Sequence, residues 1–366
     1  MFKPRSVAIL AVFVFLCGFL IGNSIQYLEY GLAKFIVTPA YDDGKSENYG
    51  TDVDSLIHIG NSTDVAHKRA SLIEFIWKDS GFPTETLPSI EANIVDSRFS
   101  NMDNLKQIDK ITVNMEHDVN SIAYFFNPKK SNNKLIIYHQ GHDGEFVRGR
   151  SSIEFFLKNN YSVLAFSMPL LGMNNQPIVE IPDIGKIRLE SHDHLYLLDS
   201  DKFSSIKYFV EPIAISLNYV DKNFDFDSYY MVGISGGGWT TTLYSAIDPR
   251  ITQSYSVAGS LPTYLRSSPE DLGDYEQILP ELYKNANYLD LYILDSYGKD
   301  RKHIQIFNKY DPCCFAGDLF TTYENEIKNT MSKLGLGTFD VYLDDTHREH
   351  KISEHALNLI INNMDS

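Results

Sequence analysis

The run Tyr229-Tyr230-Met231-Val232-Gly233-Ile234-Ser235-Gly236-Gly237-Gly238-Trp239 constrains this chain more than any other. It reads as a β-strand passing through G-x-S-x-G straight into a helix with Leu243 and Ile247 on one face. A turn that tight holds its middle residue at strained dihedrals with the side chain exposed. Only very small neighbours fit beside it, hence Gly233 and Gly237. The helix that follows aims its first N–H groups and its dipole at the same point. A Gly-rich turn can also cradle a phosphate, but this spacing is not the dinucleotide G-x-G-x-x-G and no Walker lysine follows. The segment therefore requires a sheet with a helix packed back on it, and it presents Ser235 as a nucleophile.

The flanking sequence agrees. From about residue 111 short apolar runs alternate with helical periodicity, the pattern of a mostly parallel central sheet flanked by helices. Strands are expected at 111–114, 121–126, 135–138, 162–166, 229–233, 252–257, 303–307 and 339–343, within a catalytic α/β domain spanning 111–366. A helix is expected over 202–220, where Phe203, Ile206, Phe209, Val210, Ile213, Leu217 and Val220 recur at helical spacing, with Pro212 bending or splitting it. Residues 168–199 are too long for a plain crossover and read as a lid or substrate-binding insertion. Upstream, 61–110 reads as a helical extension packing on the core. Ser62 would cap a helix whose Val65, Arg69, Leu72, Ile73, Ile76 and Trp77 share a face, Trp77 being a packing residue.

At the N-terminus, Lys3 and Arg5 precede an apolar run over 7–21 that Ile25, Tyr27 and Leu28 can extend, while Tyr27 and Tyr30 suit an interfacial belt. No small-x-small cleavage site follows, and Leu16 before Cys17 is too bulky for lipoprotein processing. Residues 1–41 are expected to be an uncleaved signal anchor and juxtamembrane segment, leaving the rest of the chain outside the cytoplasm; cleavage would make it secreted. Residues 42–60, rich in Asp, Asn, Ser and Gly, read as a polar spacer.

A serine hydroxyl is a weak nucleophile at neutral pH and needs a histidine to take its proton, oriented in turn by a carboxylate. Asp311, just past the strand at 303–307 and stiffened by Pro312, is the candidate acid, with Asp318 a weaker one. Thr346-His347-Arg348-Glu349-His350 and His355 offer three bases. His355 falls inside the last helix. His350 precedes Ser353, the expected cap of that helix, and is the first choice, with His347 the alternative. The oxyanion hole needs two N–H donors. One is expected from Gly236 and the other from His142 in His139-Gln140-Gly141-His142-Asp143-Gly144, where Gly141 allows close approach. The His139 and His142 side chains are read as stabilising that loop. Gly141, Trp239, His192 and Asp193 are expected to contact substrate, and His192, Asp193, His194 and Tyr196 would suit a polar, glycan-like one.

A net charge of −16 with no basic block argues against nucleic acid as a partner. There are only three cysteines, so no disulfide framework is legible, and adjacent Cys313 and Cys314 read as reduced, half-buried thiols. Ser191-His192-Asp193-His194 has no second cluster to complete a metal site, so no metal is expected.

Together the elbow at 233–237, Gln140-Gly141-His142, Asp311 and His350-Lys351-Ile352-Ser353 resemble the alpha/beta-hydrolase superfamily from about residue 111 to the C-terminus. Gln140 departs from the pattern, standing where many members carry the His of an HG pair, and no segment resembles the propeller of the large serine peptidases. The members it looks most like are extracytoplasmic serine esterases and carbohydrate deacetylases. That resemblance implies hydrolysis of a carboxylic ester on a small molecule or glycan through an acyl-serine, with no cofactor. A serine peptidase, or an inactive hydrolase fold that binds a partner at the cell surface, are the alternatives.

Overall fold

The computed structural model describes residues 50–267 and 269–365. The expected anchor at 1–41, with Cys17, and the first part of the spacer lie outside the described residues. Among the described residues no helix is long and apolar enough to cross a membrane.

The described residues form a nine-stranded sheet in the order β1-β2-β3-β5-β4-β8-β9-β10-β11. Its strands are β1 (Ser89–Ile94), β2 (Leu105–Asn114), β3 (Asn120–Pro128), β4 (Lys134–His139), β5 (Ser162–Phe166), β8 (Ser228–Ile234), β9 (Ile251–Val257), β10 (Lys302–Asn308) and β11 (Thr338–Asp344). The first three form an antiparallel meander joined antiparallel to β5, and β5, β4, β8, β9, β10 and β11 pair in parallel, each with the next. Successive residues of the central strands go to opposite faces. Leu135, Ile137, Leu164, Phe166 and Met231 enter one core layer, while Ile136, Tyr138, Val163, Ala165, Tyr230 and Val232 enter the other. Strands buried on both faces need helices on both. The first layer is covered by α1 (Ser62–Trp77), α4 (Lys207–Asn223), α5 (Gly236–Ile247), α9 (Tyr288–Ser296) and α10 (Glu324–Leu334). The second is covered by α2 (Arg150–Lys158) and α11 (Glu354–Met364). Short helices α3 (His192–Tyr196), α6 (Pro269–Leu272), α7 (Tyr275–Ile278) and α8 (Pro280–Asn285) lie in the connections.

All eight expected strands are present. The 61–110 segment differs from expectation: it holds the helix, but also β1 and the first half of β2. Charged and polar residues break up the apolar alternation in β1, which is an edge strand exposed along most of its length and so carries little pattern. The cap of α1 is Asn61 rather than Ser62. Its side chain accepts from Thr63 N and Asp64 N, and Asp64 reaches back to Asn61 N. Helix α4 starts at Lys207, later than its apolar periodicity, and continues through Pro212 unbroken. Proline in the second turn removes a single backbone bond, and the helix is buried along most of its length. The end of the spacer is docked rather than loose. Val53 and Ile59 are buried, and His58 N donates to Asp290 Oδ1 at 2.8 Å. The 168–199 insertion folds into a separate hairpin, β6 (Ile178–Ile181) with β7 (Gly185–Arg188), followed by α3.

Candidate active site

Strand β8 ends at Ile234 and α5 begins at Gly236, leaving Ser235 alone at the bend with φ 56° and ψ −129°. Two backbone bonds hold it there: Ser235 N donates to Val257 O at 2.9 Å, and Trp239 N to Ser235 O at 3.0 Å. Such dihedrals cost on the order of 1–3 kcal/mol in a non-glycine residue and persist only where the surroundings enforce them. The enforcement is steric. A Cβ on Gly233 would lie 2.1 Å from Gly237 O, and one on Gly237 would lie 2.2 Å from His139 O. Gly141 touches Ser235 itself, since a Cβ there would sit 2.5 Å from Ser235 Cβ.

Because β8, β10 and β11 are parallel, the loops after them emerge at one edge of the sheet. Asp311 follows β10, and its side chain is fully buried. Its carboxylate accepts from Asn308 Nδ2 at 3.0 Å and from Cys313 N at 2.8 Å. It also lies 2.8 and 3.0 Å from His350 Nδ1. An ionised carboxylate only accepts, so Nδ1 carries the proton and the neutral ring keeps its lone pair on Nε2. That Nε2 is buried and has no hydrogen-bond partner among the described residues. Asn308 Nδ2 also donates to Lys351 O at 3.1 Å, tying the His350 loop to the Asp311 loop.

The two alternative histidines face other groups, although His347 Nε2, like that of His350, has no hydrogen-bond partner among the described residues. His347 Nε2 lies 3.4 Å from Asp344 Oδ2, and its Nδ1 accepts from Glu349 N. His355 is on α11, against the Tyr342 hydroxyl. Asp318 caps a turn through its carbonyl, which accepts from Thr321. Ser353 caps α11 as expected, accepting from Ala356 N.

In the loop after β4, burial pushes the His139 imidazole down to about 4, so it is neutral, and its Nδ1 donates to Gln140 O at 2.9 Å. Gln140 accepts from Tyr138 Oη at 2.5 Å and donates to Asp143 Oδ1 at 2.7 Å. The departure from the HG pair thus pins the loop through the side-chain amide. The His142 ring lies against Gly236: a Cβ on that glycine would be 2.3 Å from His142 Cε1. His142 and His192 converge on Asp274 and Glu276, which hold the donor set that could take a metal.

Three expectations are corrected. Trp239 is fully buried, donates to Tyr283 Oη at 2.8 Å and packs edge-on against Phe209, so it is a core residue rather than a substrate contact. His192 is 3% exposed and its ring is taken up by Pro169 O, Asp274 and Glu276, while the neighbouring Asp193 is exposed. Cys313 and Cys314 are joined in a vicinal disulfide. The turn that brings both their N–H groups to Asp311 Oδ1 also brings their side chains together. Their sulfurs lie within 4.8 Å of a ring nitrogen of His350. Sequence reasoning missed Asn308, which has no motif, and Asp274 and Glu276, which lie far along the chain from the loop they meet.

No protein-family model matches the sequence, and no curated protein matches it. Solved structures do match. Acetyl xylan esterase 1 from Thermoanaerobacterium aligns with a TM-score of 0.55 at 14% identity, over 85% of this chain and 96% of that one. An acetyl xylan esterase from Paenibacillus gives 0.52 at 13%, over 86% and 98%. A glucuronoyl esterase from Solibacter usitatus gives 0.54 at 12%, over 83% and 91%. At such identities the likeness is one of fold.

Proposed function

We propose, from the alpha/beta-hydrolase fold that this chain shares with those esterases, that it is a serine hydrolase of carboxylic esters. The observation that carries the reading is the His350 ring, held at Nδ1 by a buried carboxylate with its buried Nε2 left unpartnered, at the same sheet edge as the strained Ser235. In this reading Ser235 Oγ attacks the ester carbonyl as its proton passes to His350 Nε2. The carbonyl oxygen gathers negative charge beside the Gly236 and His142 N–H groups. The C–O bond to the alcohol then breaks as His350 returns the proton to the leaving oxygen. Water, deprotonated by the same nitrogen, attacks the acyl-serine, releasing the acid and restoring Ser235. Asp311 keeps Nδ1 protonated and stabilises the imidazolium at each stage.

The substrate class we assign is an ester on a carbohydrate. The support is the names of the matching structures, two acetyl xylan esterases and a glucuronoyl esterase. The hairpin-bearing insertion at 168–199 is the lid of this reading. We place the catalytic domain outside the cytoplasm on an N-terminal anchor. The basic-then-apolar start of the chain supports this, and so does the vicinal disulfide, which suits an oxidising compartment.

The test is labelling of the purified protein by a fluorophosphonate probe, alongside turnover of p-nitrophenyl acetate and of an aminoacyl p-nitroanilide. Labelling and ester turnover that both vanish in Ser235→Ala are expected. A folded wild-type protein that takes no label would overturn the reading, and preference for the anilide would make the chain a peptidase.

A further inference from the structure

Four side chains from three distant segments meet beside the oxyanion loop. His142 comes from that loop, His192 from α3 of the insertion, and Asp274 and Glu276 from the start of α7. His142 Nε2 lies 2.9 Å from Glu276 Oε1 and 3.5 Å from Asp274 Oδ2. His192 Nδ1 lies 3.2 Å and 3.1 Å from the same two oxygens. Ligands about 2.1 Å from a tetrahedral ion stand about 3.4 Å from one another, so the four histidine-to-carboxylate spacings are near those of a metal's coordination sphere, and all four atoms lie within 4.8 Å of one another.

The tautomer of His192 sharpens the case. Its Nε2 is 3.1 Å from the carbonyl oxygen of Pro169. A carbonyl only accepts, so Nε2 carries the ring proton. In the neutral ring Nδ1 is then a lone pair facing two carboxylate oxygens, which also only accept. That arrangement is unfavourable unless a metal ion or a further ring proton lies between them, and a ring N–H donating to a backbone carbonyl is what orients metal-bound histidines. A second proton on His192 could instead link that ring to the acids: burial lowers its pKa, but the facing Glu276 and Asp274 carboxylates outweigh this and raise it to about 10. Glu276 Oε2, however, is buried on a side chain with no exposure and has no hydrogen-bond partner among the described residues, which a proton at Oε1 does not remedy. A metal ion takes up all four donors at once and lies within reach of that oxygen too.

We propose that His142, His192, Asp274 and Glu276 bind a divalent transition-metal ion of the zinc type. Two imidazoles and two carboxylates suit zinc. Four protein ligands close the coordination sphere, which makes the site structural. Its effect is to clamp the insertion and the segment after β9 onto the loop whose His142 ring packs against Gly236. The inference does not rest on Ser235 being a nucleophile.

The full chain, stripped with a chelator, is titrated with Zn2+ alone by calorimetry and with Co2+ alone by visible absorption. One equivalent of Zn2+ is expected, with a tetrahedral Co2+ spectrum that Zn2+ displaces. His192→Ala and Glu276→Gln should each weaken Zn2+ by at least about 100-fold, since losing a ligand exceeds the cost of losing an outer-shell contact. The wild-type cobalt spectrum reads the ligand set even if neither variant folds. No stoichiometric binding, an octahedral cobalt spectrum, or binding untouched in both folded variants would overturn the proposal. Fluorophosphonate labelling of the stripped protein reports separately on Ser235.

Discussion

His350 and His347 sit three residues apart in one loop, yet each is committed to a different carboxylate, Asp311 for the first and Asp344 for the second. If the proposed chemistry is right, His350→Ala lowers kcat for p-nitrophenyl acetate by roughly 10,000-fold or more, and Asp311→Asn by roughly 10,000-fold. His347→Ala should leave kcat within about tenfold, because its partner Asp344 keeps the Thr346 and Ser353 side chains as donors. His139 makes a different prediction. Its folded value is near 4 against an unfolded value of about 6.5. Above pH 6.5 the ring is neutral in both states and adds no pH dependence. Between 6.5 and 4 the unfolded chain takes the proton and the native state does not, so stability falls with pH by up to about 3 kcal/mol. Thermal unfolding of His139→Asn measured across that window should show a shallower acid slope than wild type; an equal slope would place the lost stability elsewhere.

Each element at the site is fixed by a local device. The elbow between β8 and α5 works because three glycines let backbone meet backbone, and the residue between them is the one left standing clear. This was fully legible, since G-x-S-x-G between a strand and a helix has a single steric reading. The start of α1 was legible only to within one residue, because Asn61 and Ser62 are both good caps and the tie is broken by Asp64 reaching back to Asn61 N. Asn61→Ala should destabilise the protein by about 1 kcal/mol in a denaturant titration, with Ser62→Ala near neutral. The insertion was legible as an insertion but not as a hairpin, and its one buried imidazole points to partners the sequence could not supply. His192 reads as a polar lid residue until Pro169, Asp274 and Glu276 are seen around it.

Over the whole molecule, the first described residues are tied to the last third of the chain. Asp290, fully buried, receives His58 N and lies 3.1 Å from both His58 Nδ1 and Lys68 Nζ. Asp290→Asn leaves Lys68 without its anion and His58 without the carboxylate it lies against. With His58 and Lys68 partly exposed, the expected loss is about 2 kcal/mol in denaturant stability, accompanied by easier proteolysis near residue 60. An unchanged midpoint would mean that the contact is incidental to folding.

Local patterns settled what depends on neighbours in sequence. Alternating apolar runs and helical periods named the strand-and-helix order, and the glycines named the strained bend at Ser235, because sterics and burial act over a few residues. Folding alone decided which of two histidines took Asp311, that two adjacent thiols close into a disulfide, that Trp239 turns inward, and that His142 and His192 share two carboxylates. Apart from the disulfide, which the tight turn around Asp311 closes between sequence neighbours, each of those outcomes is a contact between segments 30 or more residues apart or a side-chain direction set by one, and such geometry leaves no periodic trace in the chain.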